Sequence, residues 1–224
     1  MATAAILPIK RFDSAKQRLN GRLGAGTRAA LAAAMFADVL SSLQRATALD
    51  AIVVVSGEQQ VQDAAAENGL MLVRDLQDKG QSNAARSGLA RAAALGCDRA
   101  ALIAGGCPLI DPQELDELLD ATSADVVIVP DRHESGTNGL ILNPSGPFEP
   151  QFGPDSLARH LKQAQRRELS CVIEPLASMA IDVDTHDDLA ELSHKLESVH
   201  GRAQRTLGVL RQIERSQPLP PVAV

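Results

Sequence analysis

Short apolar runs alternate with longer stretches of helical periodicity along most of this chain. Six runs have the length and apolar content of buried strands, at residues 4–9, 52–56, 70–73, 100–104, 126–129 and 140–142. Four segments between them have the spacing of helices, at residues 27–46, 58–68, 82–95 and 112–121. This alternation predicts an α/β fold with a mainly parallel sheet and helices on both of its faces.

The strongest helical pattern covers residues 27–46, with Thr27 as its expected N-cap. Leu31, Met35, Val39 and Leu43 form one apolar stripe along it. Such a stripe either packs into the core of the domain or contacts a second copy of the chain, and core packing is the commoner use. The stripe is therefore compatible with a homodimer but does not require one.

The regular alternation stops in the second half of the chain. Residues 134–154 are rich in Gly, Asn and Pro, a helix is expected after Phe152, and an apolar run near Met179 ends in acidic residues. Such an insertion commonly builds the substrate end of an α/β site. We expect one domain over residues 1–198, and a segment over 199–224 that contains a helix at 202–213 and a Pro-rich tail.

Composition and charge narrow the class of partner. The chain of 224 residues carries a net charge of −6, and its few aromatic residues, 2% of the total, are all Phe. An acidic chain with so few aromatic rings lacks both the basic surface and the stacking platform that nucleic acids require. We therefore expect small substrates, held by a local basic pocket if they are anionic.

The cysteines and the N-terminus bear on the compartment. Cys97, Cys107 and Cys171 are widely separated and form no C-x-x-C pair, which predicts free thiols. The N-terminus lacks a basic region followed by a long apolar core, and no apolar run reaches about 18 residues. The expectation is a cytoplasmic protein without membrane contact.

A cluster of basic residues follows the first predicted strand. Lys10, Arg11, Lys16 and Arg18 fall within one loop-to-helix turn. Cations at the carboxyl end of a parallel strand are suited to neutralising a triphosphate, although a solvated basic turn would have the same sequence. The segment is neither a Walker loop nor a G-x-G-x-x-G fingerprint, which disfavours a P-loop kinase and an ordinary dinucleotide dehydrogenase.

Two further turns precede helices. Gln81, Ser82 and Asn83 form a polar turn that either presents side chains to a base or ribose or only caps the next helix through Ser82. Gly105 and Gly106 follow the strand at 100–104, where nucleotide phosphates and a metal would naturally meet.

The segment over residues 152–160, Phe-Gly-Pro-Asp-Ser-Leu-Ala-Arg-His, combines a turn, a helix start and charged side chains. Asp155 or Ser156 is expected to cap the helix, whose first amides would then face an anion, with Arg159 and His160 adding positive charge. The alternative is an ordinary structural helix start.

An acidic pair lies near the end of the predicted domain. Asp182 and Asp184 point to the same side of an extended chain, close enough to share a divalent cation. The alternative is that Asp184 or Thr185 only caps the helix that follows.

Taken in order, these segments resemble the phospholactate guanylyltransferase family, which makes the phosphodiester precursor of the deazaflavin coenzyme F-420. The resemblance runs from about residue 4 to residue 192. It rests on residues 9–12 with 15–19, the turn at 105–109, Asp131-Arg132 with Gly136-Thr137, the segment 152–160, and residues 182–185.

The resemblance implies a three-layer α/β/α sandwich of the nucleotidyltransferase type, similar to that of sugar-nucleotide synthases. It also implies an Mg²⁺-dependent transfer of GMP from GTP, with release of pyrophosphate. The acceptor would be the phosphate of a small phosphorylated acid: 2-phospho-L-lactate, phosphoenolpyruvate or 3-phospho-D-glycerate.

The resemblance also assigns roles to residues of this chain. Lys10, Lys16, Asp182 and Asp184 would be the catalytic set, with both aspartates holding Mg²⁺. The nucleotide-binding set would be Lys10, Arg11, Lys16, Arg18, Gln81, Ser82, Asn83, Gly105 and Gly106. The acceptor-binding set would be Thr137, Gly153, Ser156, Arg159 and His160.

One departure from the family pattern bears on activity. The family has Gly-Asp-x-Pro-Leu after the central strand, and its Asp supplies a third metal carboxylate, whereas this chain has Gly106 there. Mg²⁺ held by fewer carboxylates relies more on water and substrate phosphates. Three alternatives follow: the remaining pair suffices, Asp111 or Asp131 substitutes for the missing acid, or the protein is a weakened or inactive nucleotide-binding relative. A cytidylyl- or sugar-nucleotide transferase is less expected, because the usual Gly-Gly-x-Ser/Gly-x-Arg loop after the first strand is absent.

Overall fold

In the computed structural model, which describes residues 1–216, seven strands form one sheet with the order β3-β2-β1-β4-β6-β5-β7. The strands are β1 (Thr3–Ile9), β2 (Ala51–Ser56), β3 (Met71–Arg74), β4 (Arg99–Ile103), β5 (Val126–Pro130), β6 (Thr137–Leu142) and β7 (Cys171–Ile173). All six predicted strands are present; β7 is added at one edge, where three residues are too short to leave a clear pattern.

The helices are α1 (Ala25–Leu43), α2 (Gln59–Glu67), α3 (Gln81–Ala94), α4 (Pro112–Ala121), α5 (Ser156–Arg166), α6 (His186–Ser198) and α7 (Gln204–Ser216). Two short 3₁₀ turns lie at Gln17–Leu19 and Ala177–Met179. Asp111 caps α4 as predicted, by accepting a hydrogen bond from the Gln113 amide at 3.0 Å. The expectation that Thr27 caps α1 is wrong: the helix starts earlier, from an extended Gly24 that needs no side-chain cap.

Alternate residues of β1 pack on opposite faces of the sheet, which creates three layers. Ala5 and Leu7 contact the core formed with α1, α2 and α4, whereas Ala4 and Ile6 contact the core formed with α3 and α5. The predicted α/β sandwich is therefore confirmed.

The stripe on α1 is core and not an exposed contact face. Leu31, Met35 and Val39 are fully buried within the chain itself. Leu31 and Met35 pack in a third cluster against residues of α6 and α7, including Leu189 and Leu210. A homodimer stays a prediction, and this stripe does not supply its interface.

The C-terminal helix is fastened to α1. Asp38 accepts hydrogen bonds from the Thr206 amide at 2.8 Å and the Thr206 hydroxyl at 2.7 Å, and Leu210 and Ile213 are buried. Residues 204–216 thus share the hydrophobic core of the preceding elements. Most of the predicted Pro-rich tail lies outside the described residues.

The directions of the strands decide which residues meet at the edge of the sheet where β1 and β4 end. β1 and β4 are parallel, whereas β6 runs antiparallel to β4, a reversal that the sequence pattern did not predict. The last residues of β1 and β4 therefore lie at the same edge as the first residue of β6, Thr137. Within residues 1–216, no helix combines the length and apolar character needed to cross a membrane.

Candidate functional site

Two adjoining cavities open at this edge of the sheet. The first has a volume of about 280 Å³ and lies over the ends of β1 and β4. Its lining includes most of the predicted nucleotide-binding residues: Lys10, Lys16, Arg18, Gln81, Gly105 and Gly106.

The second cavity has a volume of about 380 Å³ and lies between the start of β6 and the start of α5. Its lining includes three of the five predicted acceptor-binding residues, Thr137, Gly153 and Ser156. Both cavities are also lined by Arg18, Gln81, Asp182 and Asp184, which therefore form their common wall.

The acidic pair holds an ammonium group. Lys16 Nζ lies 3.1 Å from Asp182 Oδ1 and 3.0 Å from Asp184 Oδ1, and the Lys16 side chain is only 12% exposed. Burial alone lowers the pKa of Lys16, but the two carboxylates outweigh it and raise this pKa above its ordinary value. Burial raises the pKa of Asp182, and the nearby ammonium offsets part of that rise. Lys16 is therefore a cation in this site.

Gly106 leaves the room that this arrangement needs. A Cβ atom at Gly106 would overlap the Asp182 carboxylate oxygen and would lie 2.5 Å from Lys16 Nζ. The Gly106 carbonyl also accepts a hydrogen bond from the Val183 amide at 3.0 Å, which holds the acidic segment against the end of β4. At the position where the resemblance implies a third carboxylate, this chain therefore has a glycine, and the Asp182 carboxylate and the Lys16 ammonium fill the volume beside it.

Asp111 and Asp131, the expected substitutes for the missing carboxylate, do not take its place. Asp111 is engaged as the α4 cap and by an ion pair with Arg202, and it lines neither cavity. Asp131 lines the second cavity, but its Oδ1 accepts hydrogen bonds from the Ser135 and His133 amides. Among the residues described, no group of three or more His, Cys, Asp or Glu side chains is arranged to hold a metal ion.

The cysteines are free thiols, as predicted. Cys107 is completely buried beside the acidic segment. Burial above all, and then the charge of Asp182, raises its pKa well above the ordinary value. The thiol therefore stays protonated and is a poor ligand for a hard cation.

Arg132 and Asp188 belong to the second cavity, although neither was among the predicted site residues. Arg132 Nη2 donates to Asp188 Oδ1 at 2.8 Å. The other oxygen of Asp188 accepts hydrogen bonds from the Asp184 and Thr185 amides and from the Thr185 hydroxyl. These bonds lower the pKa of Asp188 although burial opposes them. The sequence could have indicated Arg132 as a site residue, because it follows Asp131 in a motif that carried the resemblance.

The helix-capping alternative for the acidic segment is also correct. Thr185 accepts a hydrogen bond from the Asp188 amide at 3.2 Å, and Asp188 bonds back to the Thr185 amide, which completes a capping box. Thr185 therefore caps α6, and Asp182 and Asp184 remain available to the cavities.

The segment over residues 152–160 is built differently from the prediction. Asp155 precedes α5 with φ near +52° and makes no side-chain cap. The Ser156 amide donates to the Gly153 carbonyl and the Leu157 amide to the Ser135 carbonyl, so these two amides are not free for an anion. Gly153 has φ near +113°, which only glycine adopts readily, and it turns the chain along the cavity wall.

The two basic residues of that segment support the loop and do not line the cavity. Arg159 donates through Nε and Nη2 to the Gln151 carbonyl, at 3.3 and 3.0 Å. His160 is completely buried behind Thr137. Burial, and secondarily the charge of Arg159, lowers the pKa of His160 to about 4, so the ring is neutral at physiological pH.

Three predicted nucleotide ligands lie away from the cavities. Arg11 lines a separate groove beside Gly57 and α2. Ser82 accepts a hydrogen bond from the Phe152 amide at 2.9 Å and does not cap α3, because Gly80 is the N-cap. Asn83 donates to the Lys79 carbonyl at 2.7 Å. Of the polar turn, only Gln81 lines the cavities.

Solved structures share this architecture. A crystal structure from Desulfovibrio desulfuricans G20, provisionally assigned as a nucleotide-diphospho-sugar transferase, aligns with a TM-score of 0.76 at 19% identity, covering 96% of this chain and 98% of that chain. A cytidylyltransferase from Leptospira borgpetersenii aligns with a TM-score of 0.60 at 16% identity, covering 100% of this chain and 99% of that chain. At these identities the likeness shows the fold, which is that of the nucleotide-diphospho-sugar transferases.

Sequence relatives are closer. The chain is 43% identical to the phosphoenolpyruvate guanylyltransferase of Conexibacter woesei, over 97% of this chain and 99% of the relative. It is 34% identical to the 2-phospho-L-lactate guanylyltransferase of Methanothermobacter thermautotrophicus, over 90% of this chain and 89% of the relative. It is 35% identical to the 3-phospho-D-glycerate guanylyltransferase of Phenylobacterium zucineum, over 84% and 88%. The model of the family described as "Guanylyl transferase CofC like" matches residues 3–217, and the chain belongs to this family of guanylyltransferases.

Proposed function

We propose that this protein transfers GMP from GTP to the phosphate of a small phosphorylated carboxylic acid, releasing pyrophosphate, as a step in coenzyme F-420 biosynthesis. Phosphoenolpyruvate is the first acceptor to test, because the relative with 43% identity carries that name.

The observation that carries the proposal is the common wall of the two cavities. A transfer between two substrates needs both reacting groups within one site, and the cavities meet at Arg18, Gln81, Asp182 and Asp184. GTP would occupy the first cavity, with its triphosphate near Lys10, Lys16 and Arg18. The acceptor would occupy the second cavity, with Thr137 and Ser156 as hydroxyl partners.

The charges of the second cavity favour Arg132 as its anion-binding group. Several aspartates line it, so an anionic acceptor needs a fixed cation there. Arg132 lines this cavity, and its bond to Asp188 at 2.8 Å holds the guanidinium in place. A guanidinium matches the geometry of a carboxylate or phosphate, so Arg132 would pair with one of these groups of the acceptor.

The chemistry needs no activated protein nucleophile. An oxygen of the acceptor phosphate, already anionic at neutral pH, forms a bond to the α-phosphorus of GTP. The bond from that phosphorus to the bridging oxygen of the β-phosphate breaks, and the electron pair leaves with pyrophosphate. The residues contribute by holding the two phosphates in line and by neutralising charge, which Lys10, Lys16 and Arg18 do on the leaving side.

The acidic pair fits a divalent cation. Oxygens of Asp182 and Asp184 converge on one ammonium at 3.1 and 3.0 Å, which shows that both carboxylates can serve one positive centre. We propose that they hold Mg²⁺ and that Lys16 then turns from them toward the triphosphate. When bound, the ion would offset charge on the phosphates of GTP.

Gly106 does not by itself favour an inactive protein. The lysine ammonium balances the two remaining carboxylates, so the site keeps a coherent charge arrangement without the third acid. The three relatives reported above are all named as enzymes. Their names give no support to the alternative that this protein only binds nucleotides.

The test is pyrophosphate release from GTP with Mg²⁺, measured separately with phosphoenolpyruvate, 2-phospho-L-lactate and 3-phospho-D-glycerate. We expect release that depends on one of these acceptors and is weaker with ATP or CTP. Arg18→Gln should lower kcat/KM for GTP at least tenfold, because it removes a cation from the common wall.

Arg11→Gln is the matched control, since it removes the same charge from the same loop but in the separate groove. It should leave kcat/KM within about twofold. Absence of release with every acceptor would refute the proposed function, and equal losses in the two arginine variants would refute the assignment of the cavities.

A further inference from the structure

His160 connects the two sides of the second cavity. Its Nδ1 lies 3.0 Å from the Thr137 hydroxyl, at the start of β6, and its Nε2 lies 2.8 Å from the Gln151 amide nitrogen, just before Gly153. The imidazole is completely buried and packs against the rings of Phe148 and Phe152, with centroid distances of 5.7 and 5.6 Å. The ring therefore has one polar contact at each nitrogen and packs against two aromatic rings, and the guanidinium of Arg159 lies near enough for its charge to act on the ring.

These two contacts fix the position of the ring proton. A backbone N–H can only donate, so Nε2 must accept the hydrogen bond from Gln151 and carries no proton. A neutral imidazole then has its proton on Nδ1, which donates to the Thr137 oxygen. Protonation of the ring would turn Nε2 into a donor facing the Gln151 N–H, so the fold itself selects the neutral form with Nδ1–H.

The state of His160 determines what Thr137 can offer. The Thr137 oxygen accepts from Nδ1–H, so its own proton remains to be donated elsewhere. Among the described residues, this hydroxyl has no other hydrogen-bond partner, and Thr137 lines the second cavity. The hydroxyl can therefore donate to an anionic oxygen in that cavity.

We propose that His160 is a positioning residue that fixes the Thr137 hydroxyl as a donor to the acceptor anion. The proposal rests on the proposed function and extends it to a residue that does not touch the substrate. A buried imidazole needs hydrogen-bond partners at its nitrogens even in a purely structural role, so the experiment has to separate the contact to Thr137 from the contact to Gln151.

Two substitutions separate the contacts of the ring. His160→Asn places an amide N–H near the position of Nδ1, so it keeps the donor to Thr137 and loses the contact to Gln151. His160→Gln places an amide oxygen near the position of Nε2, so it keeps the contact to Gln151 and loses the donor to Thr137. Thr137→Val removes the hydroxyl itself.

We expect Thr137→Val and His160→Gln each to raise the KM for the acceptor about tenfold, the scale of one hydrogen bond to a charged group. The KM for GTP should stay within about twofold in both. His160→Asn, which keeps the donor, should leave the acceptor KM within about threefold of that of the unaltered protein. The double variant Thr137→Val/His160→Gln should be no worse than Thr137→Val alone.

Additive effects in the double variant would overturn the proposal, as would equal rises in KM for GTP and for the acceptor. The ¹⁵N shifts of the two ring nitrogens in the unaltered protein provide a test that needs neither a variant nor turnover. A proton on Nδ1 supports the proposal, and a proton on Nε2 or on both nitrogens overturns it. If no acceptor supports pyrophosphate release, the proposed function has failed, and the shifts still decide the state of His160.

Discussion

The stability of this fold should decrease as the pH falls, because of one buried imidazole. The pKa of His160 is lowered from 6.5 to about 4, chiefly by burial. Below pH 6.5 the unfolded chain binds a proton at this residue that the folded protein excludes, and protons therefore favour unfolding. The stabilisation is complete above pH 6.5 and is lost progressively as the pH falls towards 4. His160→Asn and His160→Gln remove this titration.

The magnitude follows from the two pKa values. The full difference corresponds to about 3 kcal/mol, since one pKa unit is worth about 1.4 kcal/mol. At pH 5 about 2 kcal/mol of this is already lost relative to pH 8, because the unfolded imidazole is almost fully protonated and the folded one is about one-tenth protonated. The side chain is completely buried, so solvent does not screen the effect.

Urea unfolding at pH 8 and pH 5 measures the effect, with each protein compared with its own value at pH 8. The other titrating groups are common to the unaltered protein and the two variants. The difference between their changes in unfolding free energy from pH 8 to pH 5 therefore isolates the contribution of His160. The unaltered protein should lose about 2 kcal/mol more than either variant. Parallel pH dependences in the three proteins would show that the ring already accepts a proton in the fold, and the assignment of its state would be wrong.

Three further substitutions test the cavities. Lys16→Met should lower kcat/KM for GTP at least a hundredfold. It should also tighten Mn²⁺ binding, measured by electron paramagnetic resonance, because the ammonium no longer competes for Asp182 and Asp184. An unchanged Mn²⁺ affinity would contradict this. Gly106→Asp should lower the midpoint of thermal unfolding in EDTA, since the new carboxylate crowds Asp182 and Asp184, and Mg²⁺ should raise the midpoint again. A midpoint insensitive to Mg²⁺ would count against the placement of the metal. Arg132→Gln should raise the acceptor KM about tenfold or more at constant GTP KM, and equal rises in both would contradict the assignment.

Local sequence determined the elements and much of the site. Apolar runs of strand length and helical periods of 3.6 residues are properties of neighbouring residues, so the six main strands and the α1 stripe could be predicted. The basic loop after β1 and the glycines after β4 could be placed in one site, because the carboxyl ends of parallel strands meet. The roles of residues within the site came from the family resemblance and not from the pattern.

Tertiary structure alone decided which side chains face the cavities. The reversal of β6 depends on its pairing with β4 and brings Thr137 to the site, and no local pattern encodes that direction. Arg159 and His160 lie in a segment that suggests anion binding, yet hydrogen bonds to the Gln151 backbone and, across 23 positions, to Thr137 turn them into supports. Lys16 meets Asp182 from 166 positions away, in space that Gly106 leaves. Contacts between distant residues set these orientations, because burial and hydrogen bonding depend on neighbours that only the folded chain supplies.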